Sequence, residues 1–402
     1  MSRAIGPAWA GRSACEPALA DAHEKDKRTE KGDAHTMSAG DTMSAGGTFG
    51  IVGSGYRAQL LVSVAQRVAE RLTLVGAAVH RPESVEDVGR RWGVPVYLSP
   101  EELFRKARPD FVLTCVPRAV NPAVVTSLVD LGAHVLTETP PALDLVGMRS
   151  LWDAVGARKL VQVAEQYHLY PGHFARHEVV RRGLLGRPTS VQVSSTHGYH
   201  AVSLMRRFLD GAFGPVAVSA SVYKAPLVDP LTRKGWSDDD TEKEAHTTLA
   251  SLDFGESASG FYDFTDNQWH NQLRHRRIVV RASRGEITDD SVVRLAGPHT
   301  VLRSPLVRSQ LGYDLNMDGF DTEHISFEGE VVWRNEFLGA RLMDDELADA
   351  AIMAATAAWA RDEGPAPYPL AEGCQDHLVS LAIDEAASTG KRVVTGLEAW
   401  AK

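Results

Sequence analysis

The chain has 402 residues, 44% of them hydrophobic and 24% charged, with a formal net charge of −9. That length supports two domains with separate cores, and the acidic balance excludes a basic face for nucleic acid or an anionic membrane, leaving a small-molecule partner. Three scattered cysteines, Cys15, Cys115 and Cys374, argue against a disulfide framework or a cysteine zinc site and fit a reducing cytoplasm.

Residues 1–47 are Ala, Gly, Ser and mixed charges with little periodic apolar content. They cannot bury enough surface to offset ordering entropy and read as a disordered leader. The tandem Thr36-Met-Ser-Ala-Gly40 and Thr42-Met-Ser-Ala-Gly46 makes Met37 and Met43 alternative starts. A secretory signal needs a longer apolar core, and Glu16, Asp21, Glu24 and Asp26 count against a transit peptide. No apolar run in the chain approaches the roughly 20 residues that span a bilayer.

Ordered structure is expected from Thr48, where an apolar strand runs into Gly53-Ser-Gly55-Tyr-Arg-Ala58. Gly53, Gly55 and Ala58 fill the G-x-G-x-x-G/A fingerprint, which lets the backbone turn tightly, approach a pyrophosphate and open a helix packed close to the strand. Gly53, Ser54, Gly55, Tyr56 and Arg57 are therefore the first candidates to hold a nicotinamide dinucleotide. A helix over Gln59–Glu70 and a strand over Leu72–Val79 follow. At the end of that second strand an acidic residue would bind the 2′-hydroxyl of NAD, but the chain has His80-Arg81 and no acid before Glu83. Arg81 either pairs with a 2′-phosphate, favouring NADP, or is a solvated loop residue.

Further short apolar runs, Phe111–Cys115, His134–Thr137 and Leu160–Ala164, alternate with helical patterns over Glu83–Trp92, Pro100–Lys106, Pro122–Leu131 and Leu143–Val155. Strands this uniformly apolar are buried on both faces, which predicts a doubly wound parallel sheet with its ligand at the carboxyl ends of the strands. After a helix over Phe174–Arg182 the pattern changes to alternating strands: Thr189–Thr196, Pro215–Tyr223, Ala245–Phe254, Ser257–Phe264, Arg277–Ala282 and Val292–Ala296. These predict an α+β domain with a large, mostly antiparallel open sheet. Helices over Asp344–Arg361 and Leu370–Thr389 close the chain. The expected division is a leader at 1–47, a dinucleotide-binding domain at 48–165 and a substrate-binding and oligomerisation domain at 166–402. The C-terminal helix is expected to pack back on the first domain.

The glycine turn, Val116-Pro117, Gly132-Ala-His-Val-Leu-Thr-Glu-Thr-Pro140 and Ala387-Ser-Thr-Gly-Lys-Arg-Val393 together resemble the glucose–fructose oxidoreductase / inositol dehydrogenase / MocA family. The resemblance implies a Rossmann domain, a second domain that takes a sugar, cyclitol or related polyol, NAD or NADP as cofactor, and a homodimer or homotetramer. It places Val116, Pro117, Glu138 and Thr139 beside the cofactor. The family's Glu-Lys-Pro is Glu138-Thr139-Pro140 here, and a threonine cannot supply the lysine's cation or act as a base near pH 7. The family's Asp-x-Gly-x-His is Thr196-His-Gly198-Tyr-His200, so His200 falls on the proton-exchanging position and Thr196 replaces the carboxylate. The short link between the Thr189–Thr196 strand and His200 implies a more open pocket, or one completed by a neighbouring subunit.

Several nearby groups are candidates on weaker grounds. Tyr167 and His168 follow a strand at its carboxyl end and either line the site or pack. Thr196, His197 and His270 are candidate substrate contacts, and the run Arg274-His-Arg-Arg277 either attracts an anionic substrate or is solvated. No spacing resembles a committed metal site. The leading function is an NAD(P)-dependent oxidoreductase of a CH–OH group, with His200, Tyr167 or His168 carrying the proton. A redox-neutral lyase or glycosidase-type enzyme that retains its NAD(H), and a non-catalytic nucleotide- or sugar-binding relative, are the alternatives.

Overall fold

A computed structural model describes residues 46–402, apart from 212, 233–234, 313–315 and 317. The expected leader before residue 46, its two candidate starts and Cys15 lie outside the described residues. The first strand, β1 (Gly47–Val52), is followed by β2 (Leu72–Ala78), β3 (Val96–Tyr97), β4 (Phe111–Thr114), β5 (Val135–Thr137) and β6 (Val161–Val163). They form one parallel sheet in the order β3-β2-β1-β4-β5-β6, the doubly wound arrangement expected from the apolar runs. All residues of the interior strands β4 and β5 are buried, as strands covered on both faces must be, and so are those of the edge strand β6, which the Tyr368-Pro369 segment covers.

Five helices connect these strands: α1 (Tyr56–Arg67), α2 (Val85–Trp92), α3 (Pro100–Ala107), α4 (Asn121–Asp130) and α5 (Leu145–Val155). Their ends follow local chemistry. Ser99 accepts the Glu102 amide at 3.1 Å and Pro100 occupies the first turn of α3. Gly132, with φ of +84°, stops the chain after α4 as the sequence predicted. The two-residue β3 is too short to leave a pattern and was not predicted.

The second half contains α6 (Pro171–Arg181), β7 (Pro188–Ser194), α7 (Gly198–Phe208), β8 (Ala217–Val228) and a small hairpin of β9 (Leu231–Thr232) and β10 (Gly235–Trp236). Next come β11 (Glu242–Gly255), β12 (Ala258–Thr265), β13 (Arg277–Ala282), β14 (Gly285–Thr288), β15 (Ser291–Gly297), β16 (Thr300–Leu311), β17 (Asp321–Phe327) and β18 (Glu330–Arg334). The chain ends in α8 (Asp344–Ala360), α9 (Leu370–Thr389) and β19 (Val393–Val394). The eleven-stranded sheet β18-β17-β16-β15-β14-β13-β7-β12-β11-β8-β19 is antiparallel except where β12 runs parallel to β7. Strands β14 and β16–β18 extend it well beyond the predicted set.

The two closing helices join the halves. Leu347, Ile352 and Met353 of α8 and Leu370 and Cys374 of α9 lie in the same buried core as the first sheet. Helix α9 also holds α7 through a buried ion pair: Arg206 Nη1 is 2.6 Å from Asp376 Oδ1, with 2% and 0% side-chain exposure. Tyr368 donates its hydroxyl to the other Asp376 oxygen at 2.5 Å, and Arg206 Nη2 reaches Glu372 at 2.8 Å. Removing one member of such a pair strands the other charge in the core, whereas removing both does not. Arg206→Ala is therefore expected to lower stability in urea unfolding by about 3–5 kcal/mol. The double variant Arg206→Met/Asp376→Leu is expected to recover most of that loss.

Candidate active site

The glycine turn between β1 and α1 has the geometry its motif requires. Gly53 sits at φ +108°, and a Cβ there would lie 2.3 Å from the Cys115 carbonyl oxygen. Only glycine fits that approach. Gly55 is the N-cap of α1; a Cβ built on it meets nothing within 4 Å, no side chain caps the helix and its first turn has no acid. Uncapped amides facing open space at the carboxyl end of a strand fit a dinucleotide's pyrophosphate.

Arg57 and Glu138, expected at the pyrophosphate and the ribose, are engaged with each other. Arg57 Nε donates to Glu138 at 2.8 Å, and its two terminal nitrogens clasp both oxygens of Asp349 on α8 at 2.8 and 2.7 Å. Asp349 is fully buried, so it demands a bidentate cation, and Arg57 supplies one. The Thr139 amide donates to the second Glu138 oxygen at 3.3 Å. Val116 and Pro117 follow β4, while His80 and Arg81 are exposed beyond β2. Among the described residues the Arg81 side chain has no partner.

His200 lies in the first turn of α7, which begins at Gly198, whose amide donates to the Tyr262 hydroxyl at 2.9 Å. Its Nδ1 is 2.6 Å from Oε2 of Glu165, a carboxylate with no exposure, and the imidazole itself is 12% exposed. Ser203, one turn further along α7, donates to the other Glu165 oxygen at 2.8 Å. Burial pushes the Glu165 carboxyl up, but His200 and Ser203 outweigh it and hold the group below the usual carboxylate range. An ionised carboxylate only accepts, so Nδ1 carries the imidazole proton and Nε2 presents a lone pair. Sequence reasoning did not single out Glu165. Its available signal was a carboxylate directly after the apolar run Val161-Gln-Val-Ala164.

A column of rings supports this pair. Tyr167 stacks on His200 at 4.3 Å, Tyr170 on Tyr167 at 4.8 Å and His173 on Tyr170 at 5.5 Å. Burial raises the Tyr167 phenol above its ordinary value, so it is a neutral hydroxyl near pH 7. His197 sits edge-on to His200 at 5.0 Å and against Trp269 at 5.4 Å. Although one side of it faces solvent, desolvation by these rings, with His200 close by, lowers its pKa to about 4. Thr196 is fully buried at the end of β7, and His270 packs against Trp269 at 5.4 Å.

His168 turns away from this column. It is buried with its ring 5.2 Å from Tyr368, and desolvation, then Arg207, lowers its pKa to about 4. A short 3-10 turn over Tyr167–Leu169 gives adjacent residues divergent directions: Tyr167 goes to the His200 ring and His168 to the core. His168 is thus a packing residue.

Residues 48–166 match the model of the GFO_IDH_MocA oxidoreductase family, NAD-binding Rossmann fold. Comparison with curated proteins gives no match. Among solved structures, the chain is similar to an oxidoreductase from Agrobacterium radiobacter in complex with NAD+, L-tartaric acid and magnesium (15% identity, TM-score 0.63, covering 86% of this chain and 98% of that one). It is also similar to levoglucosan dehydrogenase in complex with NADH and levoglucosan (16%, 0.62, 87% and 99%). A third is the WlbA dehydrogenase from Bordetella pertussis in complex with NADH and UDP-GlcNAcA (16%, 0.57, 88% and 100%). Residues 48–166 thus carry the NAD-binding Rossmann fold of the glucose–fructose oxidoreductase / inositol dehydrogenase / MocA family of oxidoreductases, and the chain as a whole shares the fold of the solved oxidoreductases above.

Proposed function

We propose that the protein is an NAD(P)-dependent oxidoreductase acting on a hydroxyl of a sugar, cyclitol or related polyol, with residues 48–165 holding the dinucleotide and 166–402 the substrate. The observation that carries this reading is the imidazole of His200, oriented by Glu165 with Nε2 left free. The sugar ligands of levoglucosan dehydrogenase and the WlbA enzyme support the substrate class.

When bound, the nicotinamide ring supplies the hydride acceptor or donor. The chain's own residues handle the proton. As the substrate hydroxyl is oxidised, its proton passes to His200 Nε2, and the buried Glu165 carboxylate stabilises the imidazolium that forms. Tyr167 holds the imidazole plane by stacking and stays neutral. Thr139, at the position of the family's lysine, offers one hydrogen bond to the substrate and no charge. Arg57 holds Glu138 and the start of α1 in fixed relation, a positioning role.

Arg81, exposed and without an acid beside it, favours NADP over NAD. Tyr223, Leu249 and Phe261 lie exposed on neighbouring strands of the second sheet, which supports association of two or four copies. A cytoplasmic location fits the cysteine usage; no helix among the described residues is long and apolar enough to cross a membrane.

Gly55→Asp tests the cofactor cradle cleanly, because open space around that Cβ lets the variant fold while a carboxylate there repels the pyrophosphate. Calorimetry is expected to show NADH and NADPH binding lost with an unchanged melting temperature, and the wild-type preference between them reads the part played by Arg81. Retained affinity removes the turn from the cofactor site.

For the chemistry, reduced nicotinamide formed on a panel of sugars and cyclitols is followed by absorbance. His200→Asn is expected to lower kcat by about 100- to 10,000-fold with cofactor affinity intact, while Thr139→Val mainly raises KM. A larger kcat loss in the Thr139 variant would overturn this division of roles.

A further inference from the structure

A cavity of about 720 Å³ opens beside the His200 pair. It shares one wall with that pair, Tyr167, which stacks on His200, and a second wall, Trp269, packs on the neighbouring His197. Its volume is that of a small-molecule site, and its aromatic sides suit the apolar face of a ring.

Four arginines and four aspartates line this cavity, and their pairing is uneven. Arg176 is bound to Asp290 at 2.9 Å, Arg308 to both oxygens of Asp344 at 2.7 Å, and Arg277 to Asp263 at 3.2 Å. The two aspartates without an arginine accept from neutral donors. Asp345 takes the Tyr170 hydroxyl at 2.6 Å and the Gln166 amide at 3.1 Å, and Asp289 takes the Ile278 amide at 2.9 Å. Arg276 is left as a guanidinium that lines the cavity and, among the described residues, meets no carboxylate. It stands one residue before β13, whose first residue, Arg277, pairs with Ser194 of β7.

We propose that Arg276 forms an oxyanion subsite, so that the substrate carries a carboxylate or phosphate in addition to the hydroxyl presented to His200. This rests on the oxidoreductase reading above, since it takes the cavity as the substrate side of that site. A guanidinium recognises either group through paired hydrogen bonds, and Tyr167 and Trp269, which line the same cavity, offer faces for the ring that joins the two ends.

The test is calorimetric titration of the full chain with D-glucose, D-glucuronate and D-glucose 6-phosphate, each with and without saturating NADH. One charge-assisted hydrogen bond is expected to make an anionic sugar bind about tenfold more tightly than glucose, with the advantage shrinking as salt is added. Whether glucuronate or the phosphate binds more tightly identifies the oxyanion, and either supports the subsite. Arg276→Gln is expected to abolish the advantage and Arg276→Glu to reverse it, both with NADH affinity unchanged because Arg276 is remote in sequence and sheet from the glycine turn. Equal affinity for all three sugars, or an advantage that survives Arg276→Gln, would overturn the proposal. Absence of NADH binding with the anion preference intact would instead strike at the oxidoreductase reading alone.

Discussion

A carboxylate with no solvent exposure, Glu165, sets the terms for the site. Buried charge is tolerated only when its oxygens are met by donors, and here both are met from one face of one helix, His200 to one oxygen and Ser203, three residues on, to the other. The end of β6 and the first turn of α7 are thereby locked together. Because α7 is also pinned to α9 by Arg206 and Asp376, the imidazole has little freedom to turn. Electrostatic need and packing thus orient the same ring.

A second set of carboxylates joins this centre to the cofactor cradle. The opening turns of α8 carry Asp344, Asp345, Glu346 and Asp349, and between them they reach three other elements. Asp344 meets Arg308 of β16, Asp345 meets Tyr170 of the ring column, and Glu346 and Asp349 meet Arg67 and Arg57 of α1. Acids at a helix N-terminus are favoured by its dipole, so one turn of helix satisfies its own electrostatics while fixing the glycine turn against the wall that supports His200. A chain segment that follows the whole second sheet in sequence therefore shapes the site of the first.

The parallel sheet was legible because burial on both faces demands continuous apolar runs, and Phe49–Val52, Leu72–Val79 and Phe111–Cys115 have them. The far edge of the second sheet was not. Strand β16 carries exposed charge and a proline, Pro305, features that argue against a strand when read locally; Pro305 falls where the pairing with β15 ends at Ser291 and the pairing with β17 begins at Leu306, so its missing N–H is not needed by both neighbours. In the hairpin after β11 the turn falls on Glu256-Ser257, both with positive φ although neither is glycine. At the site, His200 could be placed from its motif, whereas its partner lies 35 residues away with nothing local to mark it. Adjacent His168 was a candidate from its place after a strand's carboxyl end, and a single 3-10 turn sends it into buried surroundings.

Glu165 holds the His200 imidazole with its proton on Nδ1 and, in the neutral ring, its lone pair on Nε2. Nitrogen NMR of the 15N-histidine-labelled protein, with the His200 signals identified by their absence in His200→Asn, reads that tautomer without any knowledge of the substrate. In the neutral imidazole of the wild type, Nδ1 should appear as the protonated nitrogen, and Glu165→Gln should loosen that preference. A wild-type signal with the proton on Nε2, or one unchanged by Glu165→Gln, would contradict the account.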